Sequence, residues 1–205
     1  MRAAALSLLL LCGCAAIKPA VSPQPNVYSL AGARDGAAPA QAALRTALAA
    51  PTLVVTPPHA AAGFDSPRLM YVRQADQLEY FAHNEWVDTP ARMLAPLIVA
   101  AVGASGAYRA VVVTPSPASG EMRLDTEILR LQHEFLSTPS QVRFTLRAYV
   151  VESATRQVIG SRDFEAVVPA ASGDPYGGVL AAKLAVRSVL GDLSLFCAET
   201  ARNRR

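Results

Sequence analysis

Beyond residue 14, no stretch of this 205-residue chain reaches the about 18 consecutive strongly apolar residues of a conventional membrane-spanning helix. The apolar fraction of 52% is large only because alanine is abundant, so it does not imply a membrane bundle. Charge is sparse and nearly balanced: 17% of residues are charged and the net charge is +3. With no basic patch interleaved with aromatics, nucleic acid is not expected as a partner. Cysteine is limited to Cys12, Cys14 and Cys197, too few for a disulfide framework. The three histidines, His59, His83 and His133, fall at no metal-ligand spacing, so neither a metal nor a cofactor is expected. A glycine-rich phosphate loop is lacking, and Gly103-Ala104-Ser105-Gly106 has the wrong spacing for a nucleophile elbow. Without a nucleophile–base pair or a ligand set, an enzyme is the least supported class.

What is present begins at the N-terminus. Arg2 is followed by the apolar run Leu6 to Leu11 and then by Cys12-Gly13-Cys14. A positive start, a short apolar core and a small residue at the end make a secretory signal peptide rather than a spanning helix. Leu11-Cys12-Gly13-Cys14 resembles a bacterial lipobox, cut before a cysteine that receives lipid. Residues 1–13 are thus the expected signal and Cys14 the expected lipidation site. An ordinary export signal, or an apolar start that is never cleaved, is the plainer alternative. Cleavage takes Arg2 with it, lowering the side-chain charge to +2, and leaves Cys197 with no thiol to pair with. Cys197 is then expected to be a small buried hydrophobe of the last helix.

Residues 14–50 are expected to be a tether followed by a loose Ala/Pro-rich connection. Ala15 to Pro25 holds Pro19, Pro23 and Pro25 and little that packs. Its eleven residues span at most about 36–40 Å, so the domain must stay close to its membrane. Asn26 to Leu30 predicts a short first strand, and Pro39 to Ala49 at most a weak helix.

The domain proper is expected over residues 51–200, with 201–205 as a basic tail. Thr52 to Thr56, Arg68 to Arg73, Gln77 to Ala82 and Arg109 to Val113 predict strands. Asp88-Thr89-Pro90 predicts a capped, proline-started helix with Leu94, Leu97, Ile98, Ala101 and Val102 on one face. Pro96 inside it should cost a backbone bond and bend it. From Met122, apolar and polar residues alternate until the phase flips at Ile128-Leu129, the signature of a β-bulge. Val142, Phe144, Leu146, Ala148 and Val150 alternate strictly with polar residues, and Val158 to Val167 runs back beside them. Three long neighbouring strands joined by short turns make an antiparallel meander. Asp174-Pro175 starts a last helix whose apolar stripe is Val179, Ala182, Val186, Val189, Leu193 and Phe196. Gly177-Gly178 weakens its first turn and permits close approach to the sheet. The fold class predicted is α+β, a mainly antiparallel sheet with two helices on one face.

Two charged groups invite a functional reading. Asp125 and Glu127 share a strand face, as paired carboxylates for acid–base work or cation binding would, but a solvated face with Arg143 or Arg147 as cross-strand partners explains them better. The tail Arg202, Arg204 and Arg205 is expected to be solvated, with anionic head groups as the alternative partner.

The order of motifs resembles the ABC-type transport auxiliary lipoproteins, the family of paraquat-inducible protein C. The residues that carry the resemblance are Tyr28-Ser29-Leu30, Arg68-Leu69-Met70-Tyr71-Val72-Arg73, Leu78-Glu79-Tyr80-Phe81, Trp86-Val87-Asp88 and Leu124-Asp125-Thr126-Glu127. None is catalytic; order and spacing carry the match from the lipobox to about Cys197. The stretch from Gly32 to Pro51 departs from it as a loop insertion. The resemblance implies a non-enzymatic lipoprotein, with palmitate among its acyl chains, that serves a transporter built from an ATPase, a permease and an MCE-domain protein. It also implies lipid traffic between inner and outer membranes, the MCE-domain protein as partner, and self-association into a homo-oligomer. Ala15 after the lipid cysteine agrees with an outer-membrane, periplasm-facing location. The rival reading is a structural lipoprotein that steadies an outer-membrane β-barrel.

Overall fold

The structure, a computed structural model, describes residues 24–33, 50–115 and 119–204. Cys14 and the weak helix expected at Pro39 to Ala49 lie outside the described residues. The strands are β1 (Asn26–Tyr28), β2 (Thr52–Val55), β3 (His59–Ala60), β4 (Arg68–Gln74), β5 (Gln77–Trp86), β6 (Ala110–Val113), β7 (Met122–Glu134), β8 (Gln141–Glu152) and β9 (Val158–Pro169). The helices are α1 (Pro90–Ala104) and α2 (Pro175–Asn203), with a 3₁₀ turn at Ala31–Ala33.

Strand β7 is the axis of the sheet. Along one side it pairs antiparallel with β8, which pairs antiparallel with β9, so the expected meander is present. The register jumps from Ile128↔Leu146 to Arg130↔Thr145, leaving Leu129 as the extra residue of a bulge where the apolar phase flips. Along its other side β7 meets β2, then β3, then β4, all parallel to it. Parallel pairing also joins β2 to β6 and β1 to β5. The long β7–β8 and β8–β9 ladders and the β4–β5 pair are antiparallel, as expected, but the sheet as a whole is mixed rather than purely antiparallel. The cause is topological: residues 52–74 run alongside β7 in its own direction. The two-residue β3 carries no alternation and escaped the sequence reading.

Both helices lie on one face of this sheet. Thr89 Oγ1 accepts from the Arg92 backbone N–H at 3.4 Å, and Asp174 Oδ1 accepts from that of Gly177 at 2.7 Å, so the two proline-started caps form as expected. Helix α1 continues through Pro96. The core sits between sheet and helices. It joins Phe144, Leu146, Ala148 and Val150 of β8 to Leu94, Ile98 and Val102 of α1 and to the full predicted stripe of α2. Burying each such large side chain is worth about 1.5–3 kcal/mol. Gly178 stands against His133 of β7, where a Cβ would come within 2.6 Å of Nδ1. That is the close approach expected of the glycine pair.

Candidate functional site

The face of β7–β9 turned away from the helices is a lattice of ion pairs. Alternation places Arg123, Asp125 and Glu127 of β7 beside Arg143, Thr145 and Arg147 of β8 and Asp163 and Glu165 of β9. Asp125 accepts from Arg123 Nε at 3.0 Å and from the Thr56 hydroxyl at 2.8 Å. Neither carboxylate of the candidate acid–base pair takes the partner that strand order suggested. Glu127 stands in register with Arg147, yet Arg147 donates to Asp163 at 2.8 Å. Arg143 instead reaches from Glu134 at 2.8 Å to Glu165 at 2.6 Å.

Glu134 is the most consequential member of this lattice and the one without a sequence signal. Its residue is only 5% exposed. Burial pushes its carboxyl up, but bonds from Arg143, Gln132 and Gln141 outweigh that and hold it below the usual carboxylate range. The bulge makes this arrangement, because the phase change turns Glu134 to the open face and His133 inward. His133 meets the Ser140 hydroxyl at 2.9 Å through Nε2 and packs against Phe135, with ring centroids 4.2 Å apart. Burial pushes its imidazole down, against the nearby Asp174 carboxylate.

The three histidines are not brought together: His59 lies on β3, His83 on β5 and His133 inside, and the described residues include no group of three metal-ligating side chains. Cys197 is fully buried in α2, and its thiol is pushed up to about 12 by burial. Tyr108 donates to the Cys197 carbonyl at 2.7 Å. At the C-terminus, α2 runs through Arg202, and Arg204 binds Glu152 at 3.0 Å. Surface clefts of about 350, 330 and 380 Å³ lie between α1 and α2, between β9 and α2, and beside Arg109. The apolar space beneath Trp86 and Gly178 holds only about 20 Å³, room for about one water. Among the described residues no helix is long and apolar enough to cross a membrane.

At the other end of the sheet the chain enters through β1. Tyr28 stacks near Tyr176 in the first turn of α2, ring centroids 6.4 Å apart, and Arg187 donates to the Gly32 carbonyl at 3.0 Å. Beyond Tyr176, Leu180 and Leu184 continue an exposed stripe that reading for core positions alone passes over. Its signal was the four-residue repeat, offset from the buried one.

The described residues thus form a helix-covered mixed sheet with one ion-paired open face and clefts along its edges. The chain belongs to the family of ABC-type transport auxiliary lipoprotein components, whose model matches residues 28–193. That match begins at the Tyr28 motif. Among solved structures, the chain is similar to protein XCC0632 from Xanthomonas campestris at 23% identity and TM-score 0.71, covering 77% of this chain and 89% of that one. It is also similar to an uncharacterized protein at 14% identity and TM-score 0.61, covering 89% and 100%. These likenesses show the fold. Comparison with curated proteins finds no match.

Proposed function

We propose that this chain is anchored by lipid at Cys14 and works as a non-enzymatic accessory subunit of an MCE-type ABC transporter. Its place is the periplasmic side of the outer membrane, and its work is to support lipid movement between the two membranes. The observation that carries the reading is the family match over residues 28–193, together with a lipobox one short tether upstream. The shape of the domain supports it, since surface clefts and an ion-paired sheet face suit docking better than turnover. Strand β9 adds a twelve-residue edge whose outer side pairs with no strand among the described residues, a suitable seam for a second copy.

Two measurements test this. Mass spectrometry of membrane-extracted protein should find an acylated N-terminus at Cys14, and Cys14→Ala should release the chain from membranes. Several acyl chains hold far beyond the weak binding of one. Affinity capture from mild detergent should bring an MCE-domain protein with it. Capture of a β-barrel protein in its place would favour the structural role, and a soluble, unmodified wild type would end the anchored reading.

A further inference from the structure

We propose that the outward stripe of α2, formed by Tyr176, Leu180 and Leu184, rests on the lipid surface to which the chain is tethered. The inference deepens the anchored reading above and depends on lipidation at Cys14. Helix α2 is apolar on two sides. Val179, Ala182, Val186 and Val189 fill the core, whereas Tyr176, Leu180 and Leu184 are 58%, 38% and 50% exposed. Apart from the contact of Tyr176 with Tyr28, the second stripe is left open, and a helix that is apolar on both sides is normally covered on both.

The path of the chain identifies the occupant. Strand β1 begins at Asn26, two residues or about 7 Å before Tyr28, whose ring adjoins Tyr176. The tether therefore arrives beside the first turn of the stripe. From Cys14 to Asn26 its twelve steps reach at most about 40–43 Å, so the stripe cannot leave the neighbourhood of the bilayer. Charge agrees with lipid. Between Asp174 and Asp192, α2 carries no carboxylate to repel anionic head groups, and while Arg187 is held by the Gly32 carbonyl, Lys183 stands next to Leu184 of the stripe. Tyr176, with an apolar ring and a polar tip, has the character of a residue at a membrane interface. Three side chains would bind vesicles poorly from free solution. Held by the anchor, they dock intramolecularly, at an effective concentration set by the short tether.

The test uses the lipidated full chain in vesicles of phosphatidylethanolamine and phosphatidylglycerol. Leu184→Cys carries an environment-sensitive fluorophore, and Ser161→Cys on the open face of β9 is the control. The buried, poorly ionised thiol of Cys197 does not compete for label. The probe at residue 184 should emit to the blue of the control. It should also be quenched at least about twofold more by spin-labelled lipids. If Leu184→Cys fails to fold, Tyr176→Cys, at the more exposed position, carries the same probe. Equal quenching at 184 and 161 overturns the proposal, as does a cross-link showing a second copy or another protein over residue 184. Mass spectrometry of the same sample separates the two failures. An unacylated Cys14 removes the anchor and the docking together, whereas an acylated Cys14 with a water-exposed residue 184 removes the docking alone.

Discussion

Gly177→Ala and Gly191→Ala should have opposite effects on stability, although both exchange a glycine for the best helix former within α2. Helix propensity alone predicts that each gains up to about 1 kcal/mol. At Gly191 nothing lies within 4 Å of the added Cβ, so that gain should survive. At Gly177 the new atom would stand 2.4 Å from the Ser172 carbonyl oxygen and 2.9 Å from its nitrogen, where ordinary contact begins at 3.4 Å. The Ser172 backbone would have to retreat by about 1 Å. Because Ser172 lies two residues before Asp174, that retreat drags the 2.7 Å cap on Gly177 out of place. Overpacking costs about 1–3 kcal/mol and a lost cap about 1 kcal/mol. Set against the propensity gain, Gly177→Ala should be net destabilising by about 1–3 kcal/mol. For a chain of this size the midpoint should fall by about 3–10 °C, while Gly191→Ala raises it by about 1–4 °C. Thermal and urea unfolding followed by far-ultraviolet circular dichroism, on full chains in one detergent, reads both. Equal stabilisation by the two variants would refute the close approach of α2 to the Ser172 turn.

Arg143→Ala should leave the Glu134 carboxylate buried with only Gln132 and Gln141 as donors. We expect a loss of about 2–4 kcal/mol in urea unfolding, somewhat under the value for a fully buried pair because Arg143 retains 24% side-chain exposure. The pH dependence of the same residue has a definite sign. With its folded carboxyl held below the ordinary value, Glu134 contributes stability that is present above about pH 4.3 and lost as pH falls through the folded value. Glu134→Gln should therefore flatten the acid limb of the stability curve, and an unchanged limb would remove Glu134 as its source. Cys197 should resist maleimide in the folded protein and react once urea unfolds it, as mass spectrometry of quenched samples would show. Rapid labelling of the native chain would contradict its burial.

The parts of the fold that were legible share a short range. The cap of α2 is spelled by Asp174-Pro175, its core stripe by one repeat, and the bulge by a phase change within a single strand. Each is decided by residues a few positions apart, where periodicity and capping chemistry act directly. The parallel strands were not legible, because β2 and β6 meet across 58 positions in Thr52↔Ala110. No local pattern distinguishes such a strand from an antiparallel one. Charge pairing failed for a related reason. Arg143 and Arg147 could be assigned to a wetted face, but their choice of Glu134, Glu165 and Asp163 over Glu127 depended on the β8–β9 register and on the bulge.

By itself, then, the amino-acid order determined which segments become helix or long strand and which side of each is apolar. These are properties of neighbouring residues and their solvation. Only the tertiary structure decided that residues 52–74 follow β7 in parallel, that Glu134 is buried in a net of donors, and that Tyr28 of β1 lies beside Tyr176. Such outcomes depend on which distant surfaces meet, and that is settled by burying the shared core rather than by any one segment.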